Sequence, residues 1–265
     1  MDRARLKTFV LLLLLTVNLI FLAFLVTDWA QTARQRSEIR AELIDALHRM
    51  GITMAYEAIP EEGPQTIYFI ARDVAAERQV VAALLGDVSE SDVGGGIYHY
   101  QSPQGQAQFR GGTFWIELAD NIYRPSDTGP LLVERMGLWA PTGSGDGSQL
   151  THTLAIDRQR PDQLVINGQV TFHFVDGYVR EISGTALWGT WQSYLAGQQQ
   201  NAATALITLA GYLLNEGEVS RFERMEMGYY LLEGSGYLEL RPAWIVITDG
   251  GIFSVDRQSG EVRSG

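Results

Sequence analysis

Nineteen consecutive residues from Thr8 to Val26, TFVLLLLLTVNLIFLAFLV, carry no charge. As a helix rising 1.5 Å per residue, such a run spans roughly 28 Å, close to the thickness of a bilayer's hydrocarbon core. It predicts a transmembrane helix over 8–27. Arg3, Arg5 and Lys7 precede the run and Asp28 comes after it, so the charge bias predicts a cytoplasmic head at 1–7 and an extracellular C-terminal portion. A secretory signal would be shorter and would close on a small-x-small site. The flank here, FLVTDWAQTARQ, offers only an Ala30-x-x-Ala33 spacing, so an uncleaved single-pass anchor in the cell membrane is expected.

The portion beyond the anchor is acidic. The chain has a net charge of -11, and setting aside Asp2, Arg3, Arg5 and Lys7 leaves the rest at -13. That balance argues against a nucleic-acid partner and against the anionic membrane face. The chain has no cysteine, which excludes disulfides, thiolate metal sites and thiol catalysis. With 46% hydrophobic and 19% charged residues in the chain as a whole, the portion outside the membrane is expected to bury a core.

Periodicity organises that portion. Ile39, Leu43, Ala46, Leu47 and Met50 recur at helical spacing before Gly51, predicting a stalk helix. Strands are predicted at ITMAYEAI and TIYFIA, then a helix capped by Asp73, striped by Val74, Val81, Leu84 and Leu85, and stopped by Gly86. GIYHYQ, QAQFR and TFWIEL read as short antiparallel strands, and SDTGPLLVERMGL as a short helix. The glycine-rich 141–148 segment reads as a linker or long hairpin tip. Beyond it, Asn167-Gly168 and Asp176-Gly177 predict tight hairpin turns. A helix is expected from Asn201 to Asn215, and then strands turning at Gly234-Ser235-Gly236 and at Asp249-Gly250-Gly251. The class is α+β: an anchor, then two extracytoplasmic subdomains at 28–140 and 149–265, each a curled antiparallel sheet with a packed helix.

No constellation for chemistry emerges. His48, His99, His152 and His173 lie far apart in sequence without zinc-binding spacing, and His173 reads as a solvated strand residue. No Gly-x-Ser-x-Gly elbow occurs, and the only lysine, Lys7, precedes the membrane. Gly94-Gly95-Gly96 does not lead into a helix start and reads as a turn. Glu216, Glu218, Glu223 and Glu226 form the densest acidic cluster, read as a solvated edge, with paired-carboxylate hydrolysis of a wall glycan as the rival. Trp115, Trp139, Trp188, Trp191 and Trp244 could stack on sugars, although strand aromatics are more often core. No cofactor, metal or catalytic residue is expected. Within the span, Asn18 would gain from an interhelical hydrogen bond, with Phe21 and Leu22 beside it on a partner-facing surface.

The two ends of the chain together resemble one family. MDRARLKTFVLLLLLTVNLIFLAFLV, with its Met-Asp head and Asn18-to-Leu22 segment, is similar to the start of the YycI branch of the YycH/YycI proteins. The C-terminal hairpins agree: Gly228-Tyr229 on one strand, Pro242-Ala243-Trp244 on the next, and a final Ser259-Gly260-Glu261-Val262. PepSY-type domains close with a similar strand, turn and Gly-Glu-Val. The resemblance, that of a distant member, implies a non-enzymatic regulator of a WalK (YycG) type sensor histidine kinase that governs cell-wall metabolism in Gram-positive bacteria. It would act with a YycH-like protein through transmembrane and extracytoplasmic contacts. The alternative is an extracytoplasmic wall hydrolase or a muropeptide-binding sensor.

Overall fold

The computed structural model describes residues 18, 22, 38–60, 66–119, 123–124, 130–214 and 219–264. The predicted anchor at 8–27 thus lies outside the described residues, apart from Asn18 and Leu22, which are helical and exposed. Among the described residues, no helix is long and apolar enough to cross a membrane.

Local signals account for the helices. The first, α1, covers residues 38–49 and stops at Gly51, whose φ is +80°. Ile52 N donates to Leu47 O at 2.9 Å and Gly51 N to His48 O at 3.0 Å, the paired bonds of a Schellman stop. Helix α2 (Val74–Leu85) starts where the Asp73 carboxylate accepts from Ala75 N and Ala76 N, and ends at Gly86, with φ +73°. Helix α3 (Pro130–Arg135) closes with a second Schellman stop: Leu138 N donates to Val133 O and Gly137 N to Glu134 O. Helix α4 (Ala202–Leu213) is capped by Asn201, which accepts from Thr204 N at 2.9 Å.

The fold is α+β, and its strands join into one large mixed sheet. They are β1 (Thr53–Met54), β2 (Thr66–Arg72), β3 (Ser89–Gly94), β4 (Ile97–Ser102), β5 (Gly105–Arg110), β6 (Thr113–Leu118), β7 (Thr142–Gly145) and β8 (Gln149–Ala155). After these come β9 (Leu164–Val175), β10 (Tyr178–Thr185), β11 (Gly189–Leu195), β12 (Arg221–Glu233), β13 (Tyr237–Thr248), β14 (Gly251–Asp256) and β15 (Val262–Ser264). The main path runs β11-β2-β13-β12-β9-β10-β6-β5-β4-β3. Pairing is antiparallel except at two places, where β1 and β9 each run parallel to β12. Both exceptions join strands far apart in sequence, with connections long enough for a crossover.

Two readings of the sequence change here, and the alternatives at 141–148 resolve to the hairpin. The stretch ITMAYEAI yields only the two residues of β1 before a short 3-10 helix at Tyr56–Ala58. The 141–148 segment carries β7 and the turn to β8, stapled by the Asp146 carboxylate, which accepts from Ser148 N and Gln149 N. Asn167-Gly168 makes no turn, because β9 runs straight through it. The Asn167 side chain donates to Leu231 O and accepts from Leu231 N, both at 2.8 Å, so its amide stands in for a backbone group against β12. Beyond that point β9 exchanges β12 for β10, while β8 pairs with both its halves. Asp176-Gly177, by contrast, is the expected tight turn, with φ +52° and +75°.

Two hydrophobic cores result. One gathers α2 and α3 with β4 to β6 and β8 to β10, around Tyr100, Phe109, Ile116 and Phe172. The other packs α1 and α4 against Phe222, Met225, Trp244, Val246 and Val255. The long β12–β13 hairpin serves both: Tyr229, Leu231, Leu238 and Leu240 belong to the first, and the opposite half of the hairpin to the second.

Candidate functional site

The C-terminal residues that carry the family resemblance converge on the seam between these cores. Gly228 lies opposite Ala243, Tyr229 opposite Pro242, and Ala243 in turn opposite Asp256. Trp244 pairs with Val255, which pairs with Val262. Gly260, at φ +75°, closes the intervening turn, its N donating to Asp256 O at 2.8 Å while Asp256 N donates to Glu261 O at 2.9 Å. Glu261 pairs with Arg263.

Each residue type has a packing reason to be there. A Cβ on Gly228 would sit 2.7 Å from Leu164 O and 2.2 Å from Ile245 Cδ1, so only glycine lets β9 approach β12. Pro242 falls between the β2 ladder, which ends at Leu240, and the β14 ladder, which begins at Ala243. Its carbonyl accepts from Arg257 N at 3.0 Å, and its absent N–H would face that same changeover, where no strand partner is lost. Trp244 is 1% exposed, donates from Nε1 to Gln200 O at 3.1 Å, and lies under the Arg257 guanidinium, 4.7 Å from the ring centre. Burial pushes the Arg257 pKa down and that of the Tyr229 hydroxyl up. These residues build a joint, and Gly228, Tyr229, Pro242, Ala243 and Trp244 are all buried within it. In the membrane-segment set, Asn18 and Leu22 are each helical and exposed, while Phe21 lies outside the described residues.

Only two members of the carboxylate cluster are among the described residues. Glu216 and Glu218 lie outside the described residues, whereas Glu223 and Glu226 pair with Arg221 at 3.1 Å and Arg224 at 2.9 Å. His173 sits 3.9 Å from Glu181, and His152 is buried edge-on to Phe172. Among the described residues, no three histidine or acidic side chains are grouped to hold a metal ion.

Two surface features went unread in the sequence. The first is strand β11, GTWQSYL, which ends the main sheet path. Its one strand partner among the described residues is β2, and it carries no charge. Tyr194 is 53% exposed and Leu195 83%, and Phe69 meets both Tyr194 and Tyr237 edge-on or tilted on one face of the strand. The opposite end of the path, β3, is instead guarded by Glu90, Asp92 and a bulge.

The second feature is a cleft of about 580 Å³ on the other face of β11. Trp191 of β11 meets Tyr68 of β2 edge-on at 5.6 Å. Across from them, the Schellman stop of α3 delivers Trp139, whose carbonyl accepts from Ala155 N at 2.8 Å. The turn after β8 is organised by Asp157, whose carboxylate accepts from Gln159 N and Arg160 N, so that Arg158 and Arg160 reach the cleft. Arg160 also grips the Asp157 carboxylate and donates to the Tyr68 hydroxyl at 2.6 Å. That grip holds the Asp157 pKa below the usual carboxylate range and raises that of Arg160. Arg158 pairs with Glu134 at 3.0 Å and lies 5.4 Å from the centre of the Trp139 ring. A missed signal was available in the spacing of Asp157, Arg158 and Arg160 ahead of Pro161, which marks a turn that gathers charge.

Neither known protein families nor curated proteins match the chain. One similar solved structure, an uncharacterized protein from Eubacterium rectale, aligns with 77% of this chain and 86% of its own at 10% identity, with a TM-score of 0.45. A likeness of that degree carries neither activity nor partner to this chain.

Proposed function

We propose that this protein is a membrane-tethered, non-enzymatic regulator that binds a sensor histidine kinase of the WalK (YycG) type in concert with a YycH-like protein. The finer architecture belongs to the same reading: a single-pass anchor, then a YycI-like portion outside the cell, in which each of the two cores draws residues from both 28–140 and 149–265. The observation that most favours a binding role is strand β11. A seven-residue edge without charge invites a further strand, and soluble proteins ordinarily guard such edges. A partner's extended segment pairing there would satisfy the open backbone groups and cover Tyr194 and Leu195. Binding one signalling state of the kinase better than another then shifts its population without catalysis.

Co-purification from membranes of cells carrying the candidate kinase and YycH-like protein tests this. Wild-type protein should retain a partner. Gln192→Lys with Tyr194→Lys, which charges the edge, should cut capture about tenfold or more, as a lost strand contact worth about 1.4 kcal/mol predicts. No capture of either partner by the wild type would end the proposal. A separate contribution is expected from the span: Asn18→Leu should weaken capture by a factor set by about 0.6–2 kcal/mol while leaving membrane insertion intact. Capture unchanged by Asn18→Leu would remove that residue from the interface.

A further inference from the structure

We infer that the cleft between Trp139 and Trp191 binds a neutral, N-acetylated hexopyranose oligosaccharide. The fold sorts the five tryptophans among the described residues. Trp188 and Trp244 are core, each with its Nε1 donating to a backbone carbonyl, to Met136 O at 2.5 Å and Gln200 O at 3.1 Å. Trp115 is a half-buried strand residue, whereas Trp139 and Trp191 wall the cleft, Trp191 at 36% exposure.

The volume, about 580 Å³, lies in the range of small-molecule sites. Its walls are aromatic and its lining includes the buried apolar side chains Leu138, Ile156 and Leu187. A pyranose presents a C–H face that packs on an aromatic ring and a rim of hydroxyls that both donate and accept. The cleft offers the matching groups: two guanidiniums, of Arg158 and Arg160, and two carboxylates, of Glu134 and Asp157. Because these charges cancel, and the chain as a whole is at -11, neither a polyanion nor a simple cation is favoured over a neutral ligand. The apolar lining supplies a place for the methyl of an acetamido group, which a plain glucan lacks.

The smaller cleft beside Arg72 has no comparable capacity. It holds only about 140 Å³.

This inference does not depend on the proposed kinase contact, and the two are separable because Gln192 and Tyr194 face away from the cleft. The test is isothermal titration of the full-length protein, held in a detergent without a sugar headgroup, with the β-1,4-linked tetramer of N-acetylglucosamine. Saturable binding in the micromolar to millimolar range is expected, weakened about tenfold or more by Trp191→Ala and by Trp139→Ala and unchanged by Gln192→Lys. Maltotetraose should bind at least about tenfold more weakly. The inference is overturned by absence of saturable heat up to about 10 mM tetramer. It is equally overturned if both alanine variants, folded by circular dichroism, bind as the wild type does, or if maltotetraose binds as well as the tetramer.

Discussion

Arg72→Met is expected to lower the unfolding free energy by about 3 kcal/mol or more, the cost of leaving a buried carboxylate without its partner. Arg72 donates from Nε to Glu77 Oε1 at 2.6 Å and from Nη2 to Glu77 Oε2 at 2.9 Å, a two-pronged bond to a side chain only 2% exposed. The third prong donates to Gly96 O, and the guanidinium lies 4.9 Å from the Tyr98 ring centre. One residue of β2 therefore ties the first turn of α2 to the β3–β4 hairpin. Its pKa is raised by the bond to Glu77. Removing the cation alone strands the anion, whereas Arg72→Met with Glu77→Leu removes both and should recover most of the loss. Denaturant unfolding tracked by circular dichroism gives the comparison. A single variant within about 1 kcal/mol of wild type would mean that water reaches Glu77 freely and that the pair behaves as a surface one.

The clamp also explains the triple glycine that reads in the sequence as a simple turn. Gly94, Gly95 and Gly96 all take positive φ, and the turn they make delivers the Gly96 carbonyl to Arg72. Local signals of this kind were legible: the Asp73 and Asn201 caps, the Gly51 and Gly86 stops and the Asp176-Gly177 turn each act within a few residues of themselves. Asn167-Gly168 looks identical to a hairpin signal and is not one, because the asparagine amide is used 64 residues away, at Leu231. Nothing within the window of a turn motif distinguishes those two uses. Strands β3 and β11 were missed for a related reason. Both are edges with exposed side chains on either face, so no alternation of apolar and polar residues marks them. The cleft was illegible because Tyr68, Trp139, Arg160 and Trp191 come from four separate segments whose meeting depends on sheet order. The C-terminal motif was legible as words, and only the register shows that they form one joint.

That joint is where the second large loss is expected. Trp244→Ala should cost about 3–5 kcal/mol, the usual range for emptying a buried tryptophan site. Three separate effects act there. The indole is 1% exposed among α1, α4 and β14 residues, so its removal opens a cavity in the second core. Its Nε1 bond to Gln200 O fastens the segment leading into α4. And Arg257, itself only 7% exposed, loses the ring over which its charge lies while its Nε remains 3.3 Å from Gln200 O. Trp244→Phe keeps a ring for Arg257 and most of the volume but not the donor, so it should fall between wild type and alanine. Because β12 and β13 run through both cores, the alanine variant should lower the single unfolding transition as a whole rather than release α1 and α4 alone. Hydrogen exchange distinguishes the two: protection lost equally in β5 and in α4 is the expected result, and loss confined to α1 and α4 would show that the hairpin does not couple the cores.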